Sequence, residues 1–297
     1  MNTAKIHRVS IILPCRNEAE NLGVLLQGIK EILPDAELLV VDDGSTDTSV
    51  EVCREHQVTV VSHPYGMGNG AAVKTGARHA TGDVLVFLDA DGQHDPKAIP
   101  DFLEKLEQGY EMVVGARQPD SHASVFRRFA NFIYNRLASF MTGFKIQDLT
   151  SGFRVVRARH FLKFIYLLPN GFSYPTTITM AFFRSGLPVG YVPIAAAARV
   201  GKSHIRLFKD GIRFFVIILK IGALFSPMRL FLPITAALFL LGIGYYGYTY
   251  YFYHRFTNMS ALVLVSSLLT LLIGLISEQI SSLHYRGIDQ DARRTKR

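Results

Sequence analysis

The chain has no tryptophan and only two cysteines among its 297 residues. Cys15 and Cys53 have no partner at the spacing of a metal site, which excludes a disulfide scaffold and a cysteine-based zinc site. We interpret both as reduced core thiols of a domain that faces the cytosol. Hydrophobic residues make up 49% of the chain and no low-complexity segment or internal repeat is present, so intrinsic disorder is excluded as well.

Five short apolar runs alternate with amphipathic stretches in the first 120 residues. Basic residues precede the first run, but that run is too short for a secretion signal, so we interpret it as a strand. The alternation predicts an α/β fold with a mixed, mostly parallel sheet and helices on both faces, whose ligands bind at the carboxyl ends of the strands. The predicted strands occupy residues 9–13, 37–41, 58–61, 84–88 and 112–114.

Two long stretches near the carboxyl terminus contain no charged residue. About 20 apolar residues span a bilayer, so residues 227–283 are predicted to hold two transmembrane helices, at about 230–253 and 259–280. Two buried helices of a soluble core are the alternative. The joining loop has one arginine, whereas the tail at 284–297 is basic, which predicts an integral membrane protein with both the tail and the N-terminal domain in the cytoplasm. The basic tail residues are Arg286, Arg293, Arg294, Lys296 and Arg297.

Two further segments combine apolar and basic residues. Residues 124–141 place phenylalanines near one face of a predicted helix and arginines elsewhere, as in a surface helix of the domain or a basic helix lying on a membrane. Residues 206–226 are predicted to form a second such juxtamembrane helix. The net charge of +8 fits nucleic acid, an anionic membrane or a phosphorylated substrate. Because lipid headgroups account for most of this charge, nucleic acid is not expected as a partner.

Polar residues follow the first two predicted strands. In PCRNEAENL, Asn17 or Glu18 caps the next helix, binds a ligand, or does both. In VVDDGSTDTS, a turn and a helix start account for residues 44–47, but they leave Asp42 and Asp43 unexplained. Carboxylates in this position can accept hydrogen bonds from a base or from ribose hydroxyls.

The stretch HPYGMGNGAAVKTGARHATGD follows the third strand and has glycines at 66, 68 and 70. Such a pattern is weak alone, and it is not a dinucleotide fingerprint because the acidic residues lie upstream of it. We interpret it as a loop packed close against a nucleotide, followed by a helix that carries Lys74 and Arg78.

The fourth strand ends in FLDADGQHDP, where like-charged carboxylates follow a fully apolar run. In extended geometry the side chains of Asp89 and Asp91 point the same way and can share one hard cation that bridges two phosphates. Gln93 continues this spacing and adds a neutral ligand, while the two residues after it are typical of a loop and a helix cap. The pattern predicts a site for Mg²⁺ or Mn²⁺.

Together, ILPCRNEAENL, VVDDGSTD, the glycine stretch and FLDADGQH resemble the family 2 glycosyltransferases of the GT-A fold. More narrowly, DADGQHDP with DLTSGFR at 148–154 and RVGKS at 199–203 is similar to the dolichol- or polyprenyl-phosphate glycosyltransferases. The resemblance covers residues 8–205, and a cytosolic GT-A domain is expected over residues 1–205.

The resemblance implies a role for each motif. Metal ligation is implied for Asp89, Asp91 and Gln93. Contact with the donor, a UDP- or GDP-sugar, is implied for Pro14, Arg16, Asn17, Glu18, Asp42, Asp43, Asn69, Lys74, Asp89, Ala90 and Lys202. The acceptor phosphate is expected to meet Arg117, Arg128, Ser151 and Lys202. The residues expected to act in catalysis itself are Asp91, Asp148, Arg117 and Arg128.

The resemblance also implies a reaction, in which a polyprenyl phosphate displaces the nucleotide diphosphate at the anomeric carbon with inversion. A phosphate acceptor is already largely ionised at neutral pH and needs no strong base. Asp148 then orients the sugar, acts as a base if the acceptor is a hydroxyl, or only caps the turn into SGFR.

Two other functions stay open. The first is transfer to a hydroxyl of a glycolipid or polysaccharide, although a processive polysaccharide synthase typically has a QxxRW motif and more membrane spans. The second is a non-catalytic membrane scaffold that binds nucleotide sugar, against which the pair Asp89 and Asp91 argues. Association of the membrane hairpin with copies of itself is also open.

Overall fold

The computed structural model describes residues 8–117, 125–171, 173–195, 222–224 and 226–294, and it describes only the backbone of residues 125–131 and 284–294. The strands are β1 Val9–Cys15, β2 Glu37–Asp42, β3 Thr59–Ser62, β4 Val84–Phe87, β5 Met112–Arg117, β6 Arg154–Arg157 and β7 Val189–Ile194. The helices are α1 Ala19–Ile32, α2 Ser49–Glu55, α3 Asn69–His79, α4 Ile99–Glu107, α5 Val125–Thr142, α6 Ala158–Phe164, α7 Tyr174–Arg184, α8 Pro227–Tyr253 and α9 Asn258–Arg294.

The seven strands form one mixed sheet in the order β3-β2-β1-β4-β6-β5-β7. Strand β6 runs antiparallel to both β4 and β5, and the other neighbours are parallel. All five predicted strands are present, and the predicted fold class is confirmed. The antiparallel β6 has one consequence for function. Its first residues lie at the edge where β4 and β5 end, as the pairing of Arg154 with Phe87 shows.

Alternate residues of each central strand face opposite layers of helices. Ile11 and Leu13 belong to a buried cluster with residues of α1 and α4. Ile12 faces α3, where a Cβ added to Gly76 would lie 2.3 Å from its Cγ2. Burial on both faces explains why these strands read as continuous apolar runs rather than alternating ones. Each fully buried aliphatic side chain contributes about 1.5–3 kcal/mol.

Strands β6 and β7 were not predicted. The sequence of β6 is RVVR, which begins and ends in arginine, and its first arginine has 0% exposure. Strand β7, VGYVPI, is partly exposed and contains a proline. Neither segment has the apolar run that identifies the central strands, because β6 buries a charged side chain and β7 lies at the edge of the sheet.

The chain divides into two compact units, one of Met1–Arg136 with Lys145–His204 and one of Leu137–Phe144 with Ile205–Arg297. In the second unit, two helices are long and apolar enough to cross a membrane, Pro227–Tyr253 and Asn258–Leu283. Only 6% and 17% of their most apolar windows are buried. Apolar helices this exposed do not fit the alternative of a soluble core, and they fit a lipid environment.

The two helices pack on each other through small residues. Ser267 Oγ donates to the carbonyl oxygen of Thr235 at 3.0 Å, which joins α8 and α9. A Cβ on Gly274 would lie 2.8 Å from the Cβ of Phe231. Near the start of α8, the amide of Met228 donates to a carboxylate oxygen of Glu278 at 3.3 Å. These contacts define an antiparallel hairpin.

Candidate active site

The loop after β4 that carries Asp89 and Asp91, here called the acidic loop, lies directly against the segment that precedes β6. A Cβ added to Gly152 would lie 2.1 Å from Oδ2 of Asp89, so the carboxylate of Asp89 occupies the space that a side chain at 152 would need. The side-chain nitrogen of Asn69 lies 3.5 Å from the other oxygen of Asp89. Burial raises the pKa of Asp89; a charged His94 opposes this, and Asp91 adds to it. A cation at this place would relieve the repulsion between the two carboxylates.

The loop geometry differs from the sequence-based expectation. Strand β4 ends at Phe87, and residues 90–92 form a turn in which Gly92 has a φ of +70°. The predicted extended geometry from 89 to 93 is therefore wrong, and it is the turn that brings Gln93 near Asp91, whose Oδ1 accepts from the Gln93 amide at 3.2 Å. Among the described residues, no group of three or more acidic, histidine or cysteine side chains could hold a metal alone.

The donor set nevertheless fits a hard cation. Two carboxylates and an amide oxygen match the preference of Mg²⁺ and Mn²⁺ for oxygen, and Mg²⁺ is usually held by one or two carboxylates together with substrate phosphates. Asp89, Asp91 and Gln93 can supply the protein's share of such a site. The remaining positions would belong to phosphate oxygens and water.

His94 follows this loop and is almost fully buried. Its side chain is 7% exposed, its ring lies 5.5 Å from that of Phe153, and its Nδ1 has no hydrogen-bond partner among the described residues. Burial lowers the pKa of His94, while the carboxylates of Asp89 and Asp91 oppose that shift. The neighbouring Asp95 caps a short 3₁₀ helix by accepting from the Lys97 amide at 2.9 Å, as predicted for a cap residue.

Arg117 and Asp148 meet because β5 ends where the segment before β6 begins. Arg117 Nε donates to Asp148 Oδ2 at 2.7 Å, and Nη2 donates to Oδ1 at 3.0 Å. Asp148 also accepts from the amides of Thr150 and Ser151, at 3.0 and 3.1 Å. Burial raises the pKa of Asp148, but the hydrogen bonds and charge of Arg117 outweigh burial and hold that pKa below its usual range. Asp148 thus caps the turn, and its carboxylate is poorly suited to act as a base.

The ends of β1 and β2 bring the predicted nucleoside residues together. Cys15 pairs in register with Asp42, so the residues after each strand are neighbours. Asp42 is 5% exposed and its Oδ1 accepts from the Ser45 amide at 2.9 Å. The guanidinium of Arg16 lies over Gly66, where an added Cβ would be 2.3 Å from Nη1. Arg16 and Asp42 therefore lie close to each other where β1 and β2 end.

The predicted capping of α1 by Asn17 or Glu18 is wrong. Glu18 makes no side-chain cap, and Asn17, at φ +56°, uses its Oδ1 to accept from the Thr46 amide at 2.7 Å. The loop after β2 supplies the cap instead. Oδ2 of Asp47 accepts from the amide of Ala19, and Oγ of Ser49 accepts from that of Glu18, both at 3.1 Å. The two loops at the nucleoside end are thereby fastened to each other.

The loop that carries Gly66, Gly68 and Gly70, here called the glycine loop, packs against the backbone of residues 169–171. Its sequence did not indicate this contact. A Cβ on Gly70 would lie 2.1 Å from the carbonyl oxygen of Pro169, and one on Gly68 would lie 2.5 Å from that of Asn170. The Nζ of Lys74 donates to the carbonyl oxygen of Leu168 at 3.0 Å and to the side chain of Asn170. The structure therefore directs Lys74 to the 168–170 segment rather than to the acidic loop.

A buried arginine lies beneath the acidic loop and was missed by sequence reasoning. The guanidinium of Arg154 donates to the carbonyl oxygens of Pro175, at 3.1 Å, and Ser151, and it lies 5.6 Å from the centre of the Tyr174 ring. Because Ser151 precedes Gly152, this arginine supports the wall against which Asp89 packs. Its position in SGFR was the only signal that could have drawn attention to it.

A cavity of about 680 Å³ opens beside the acidic loop. Its walls include Glu20, Asn21 and Val24 of α1, together with Gln93 and His94. Of the residues predicted to bind donor, acceptor or metal, its lining contains Gln93 and not Asp89, Asp91 or Asp42, so the cavity adjoins the predicted site without containing it. Arg128 lies in the part of α5 described only by its backbone, and Lys202, like residues 199–203 and the segment 206–221, lies outside the described residues.

Sequence comparison places the chain among known proteins. Residues 10–164 match the family described as glycosyl transferase family 2, and residues 226–283 match the GtrB C-terminal hairpin. The undecaprenyl-phosphate 4-deoxy-4-formamido-L-arabinose transferase of Photorhabdus laumondii is 32% identical over 59% of this chain. That of an Enterobacter species is 35% identical over 57%. The chain spans 60% and 57% of the length of these two relatives.

Structural comparison gives the same fold. Glucosyl-3-phosphoglycerate synthase from Mycobacterium tuberculosis, crystallised with Mn²⁺ and uridine-diphosphate-glucose, matches with a TM-score of 0.60 at 21% sequence identity. The match covers 72% of this chain and 79% of the synthase. At this level of identity the likeness establishes the fold alone.

Proposed function

Because the chain belongs to glycosyl transferase family 2, we propose that it transfers a hexose-type sugar from a nucleotide-diphosphate sugar to a polyprenyl phosphate, undecaprenyl or dolichyl. The observation that carries this proposal is the salt bridge between Arg117 and Asp148. The carboxylate expected to serve a hydroxyl acceptor as base is held ionised and paired, whereas a phosphate acceptor needs no such base. The names of the relatives, which act on undecaprenyl phosphate, support the same acceptor.

The donor binds along the ends of β1, β2 and β4. Arg16 and Asp42 lie at the nucleoside end, and the acidic loop lies at the diphosphate end. Asp89, Asp91 and Gln93 hold Mg²⁺ or Mn²⁺, which when bound supplies positive charge that stabilises the departing nucleotide diphosphate. The Mn²⁺ and UDP-glucose in the complex of the synthase support a divalent ion and a UDP-sugar, with a GDP-sugar as the alternative.

The acceptor phosphate approaches from the side of Arg117. Its oxygen forms the new bond to the anomeric carbon while the bond to the nucleotide diphosphate breaks, so the configuration inverts. Asp148 fixes the guanidinium of Arg117 in one orientation, and this orientation lowers the cost of binding a phosphate. Arg128 and Lys202 complete the proposed acceptor site. The hydroxyl of Ser151, which was predicted to join them, is buried and has no hydrogen-bond partner among the described residues.

The hairpin of α8 and α9 anchors the enzyme at the surface where its acceptor resides. The basic residues after the second span, against one arginine in the loop 254–257, orient both ends of the hairpin and the catalytic domain toward the cytoplasm. The phosphate of a lipid in this leaflet is then on the same side of the membrane as the catalytic domain. We also propose that the predicted helices at 124–141 and 206–226 lie on the membrane surface.

The test is transfer of radiolabel to polyprenyl phosphate by the detergent-solubilised protein. A panel of UDP- and GDP-sugars is assayed with Mg²⁺, with Mn²⁺ and with EDTA, beside Asp91→Asn and a surface control, Asp101→Asn. The expected product is a labelled lipid that is labile to mild acid. It is lost with EDTA and with Asp91→Asn and kept with Asp101→Asn.

Two results would overturn the proposal. Label that appears only on a hydroxyl acceptor, such as diacylglycerol or an oligosaccharide, would establish transfer to a hydroxyl. Binding of nucleotide sugar with no turnover on any acceptor would establish a binding scaffold.

A further inference from the structure

Asp43 uses both of its carboxylate oxygens within the protein. Its Oδ1 accepts from the amide of Met67 at 2.7 Å and lies 2.8 Å from Nδ1 of His63. Its Oδ2 accepts from the amide of Gly68 at 2.8 Å. The side chain is 5% exposed. The side chain of the neighbouring Asp42 instead accepts from the Ser45 amide in its own turn, so the two adjacent aspartates have different surroundings.

His63 and Thr75 extend this contact into α3. The side chain of His63 is 7% exposed, and its Nε2 lies 2.9 Å from the hydroxyl of Thr75. Because an ionised carboxylate can only accept, Nδ1 donates to Asp43, and Nε2 shares a hydrogen bond with the Thr75 hydroxyl. Three side chains thus connect α3, the end of β3 and the turn after β2 to the glycine loop.

Asp43, His63 and Thr75, here called the relay, hold residues of the glycine loop that lie next to the acidic loop. Gly68 is the N-cap of α3 at φ +104°, and the next residue, Asn69, lies against Asp89. On its other side the same loop contacts the 169–171 backbone. Asp43 therefore determines where α3 begins, and the start of α3 is the neighbour of the first carboxylate of the metal site.

We propose that Asp43 is a positioning residue for nucleotide binding, supported by His63 and Thr75, and not a ligand of the nucleoside. It holds the glycine loop and the first turn of α3 in the conformation that the diphosphate and its cation require. Asp42 remains the aspartate that faces the nucleoside. This inference rests on the proposed function only in taking a nucleotide diphosphate as the ligand.

The test combines hydrogen exchange with nucleotide affinity on the full-length protein in detergent. The amides of Met67 and Gly68 donate to Asp43 themselves, so their exchange reports directly on the contact. For Asp43→Asn we expect exchange across residues 64–70 to rise about tenfold or more, as for the loss of a hydrogen bond to a charged group. The affinity for UDP or GDP with Mn²⁺, whichever the wild type binds, should fall by about tenfold or more, in step with that exchange.

Two milder variants test whether the effect grows along the chain of contacts from Thr75 to Asp43. Thr75→Val removes only the outermost contact, and His63→Ala removes the orienting ring, so the effects on exchange and on affinity should increase from Thr75 to His63 to Asp43. These variants also carry the test if Asp43→Asn fails to fold. Arg78→Lys, which keeps the charge of an exposed residue on the same helix, is the matched control and should change neither quantity.

The outcomes separate the possible roles of Asp43. Asp42→Asn should weaken nucleotide binding without changing loop exchange. If Asp43→Asn behaves in that same way, Asp43 is a ligand and the proposal is wrong. If the loop loosens while nucleotide affinity is unchanged, the relay serves only folding, and the proposal is equally wrong. A wild type that binds nucleotide but transfers no sugar to lipid phosphate would refute the proposed function and leave this test readable.

Discussion

Arg117 and Asp148 form a two-pronged salt bridge between the end of β5 and the turn before β6, with distances of 2.7 and 3.0 Å. The side chain of Asp148 is 9% exposed and that of Arg117 is 32% exposed. Charges this poorly hydrated are costly when unpaired, so each residue depends on the other. The pair therefore stabilises the turn and fixes the orientation of the Arg117 guanidinium, which we propose faces the acceptor phosphate.

Asp148→Asn should lower the free energy of unfolding by about 2–4 kcal/mol, because it leaves a largely buried guanidinium without its counter-ion. The folded pKa of Asp148 lies below its ordinary value of about 3.9, so the stabilisation is fully present above that value. It is lost as the pH falls through the folded pKa. The difference between wild type and variant should therefore be constant near neutrality and shrink below about pH 4, as measured by unfolding in detergent across this range.

The same variant tests Asp148 as a general base. We expect kcat/KM to fall by about tenfold or more, since Arg117 loses its orientation, while the pH dependence of the remaining activity keeps its shape. Asp101→Asn, an exposed aspartate on α4, controls for the change in charge. An acidic limb present in the wild-type profile and absent in Asp148→Asn would show that Asp148 does accept a proton.

Gly152→Ala should weaken metal binding with little loss of stability. The added methyl group would lie 2.1 Å from Oδ2 of Asp89, so the carboxylate must move. We expect the affinity for Mn²⁺ in the presence of UDP to fall about tenfold, as for loss of one charged ligand. Calorimetry measures this affinity. Gly171→Ala is the control, because nothing lies within 4 Å of a Cβ at that glycine. Equal Mn²⁺ affinity in both variants would contradict this account of Asp89.

The strand ends were predictable because they depend on local pattern. A buried strand reads as an apolar run, and polar residues after it fall at one edge of the sheet, so the positions of Asp42 and Asp89 at that edge followed from sequence alone. The role of Gly152 was not predictable. Its need for glycine arises only from the approach of Asp89, and the antiparallel β6 that creates this contact has no apolar signature.

Local patterns also predicted some contacts wrongly. Asn17 has the residue type and position of a helix cap, yet the neighbouring loop supplies that cap through Asp47 and Ser49. The glycine loop indicated close approach to a ligand, but at Gly68 and Gly70 the close neighbour is backbone of the 169–170 segment. In both cases the residue type was informative, and the identity of its partner depended on the tertiary fold.

Arg154→Lys should destabilise the catalytic domain more than Arg154→Met. The arginine is fully buried and satisfies several neutral acceptors at once. Lysine keeps the buried charge but cannot reach the same acceptors, whereas methionine removes the charge and fills similar volume. We expect the lysine variant to lose about 3 kcal/mol or more by thermal unfolding. Arg157→Lys, three residues along the strand and partly exposed, is the matched control. A methionine variant less stable than the lysine variant would show that the charge itself is required.

Gly274→Ala should weaken the packing of the membrane hairpin. The new methyl group would meet the Cβ of Phe231 at 2.8 Å, an atom that cannot move without the backbone of α8. Close contacts of this kind contribute to helix association in lipid, and we expect a loss of about 1–2 kcal/mol. Gly247→Ala is the matched control, since nothing lies within 4 Å of a Cβ there. Cysteines at facing positions of α8 and α9 report the packing through their rate of disulfide formation in detergent. That rate should fall in Gly274→Ala and stay unchanged in Gly247→Ala. Equal rates in the two variants would mean that the glycine is not needed for the helices to approach.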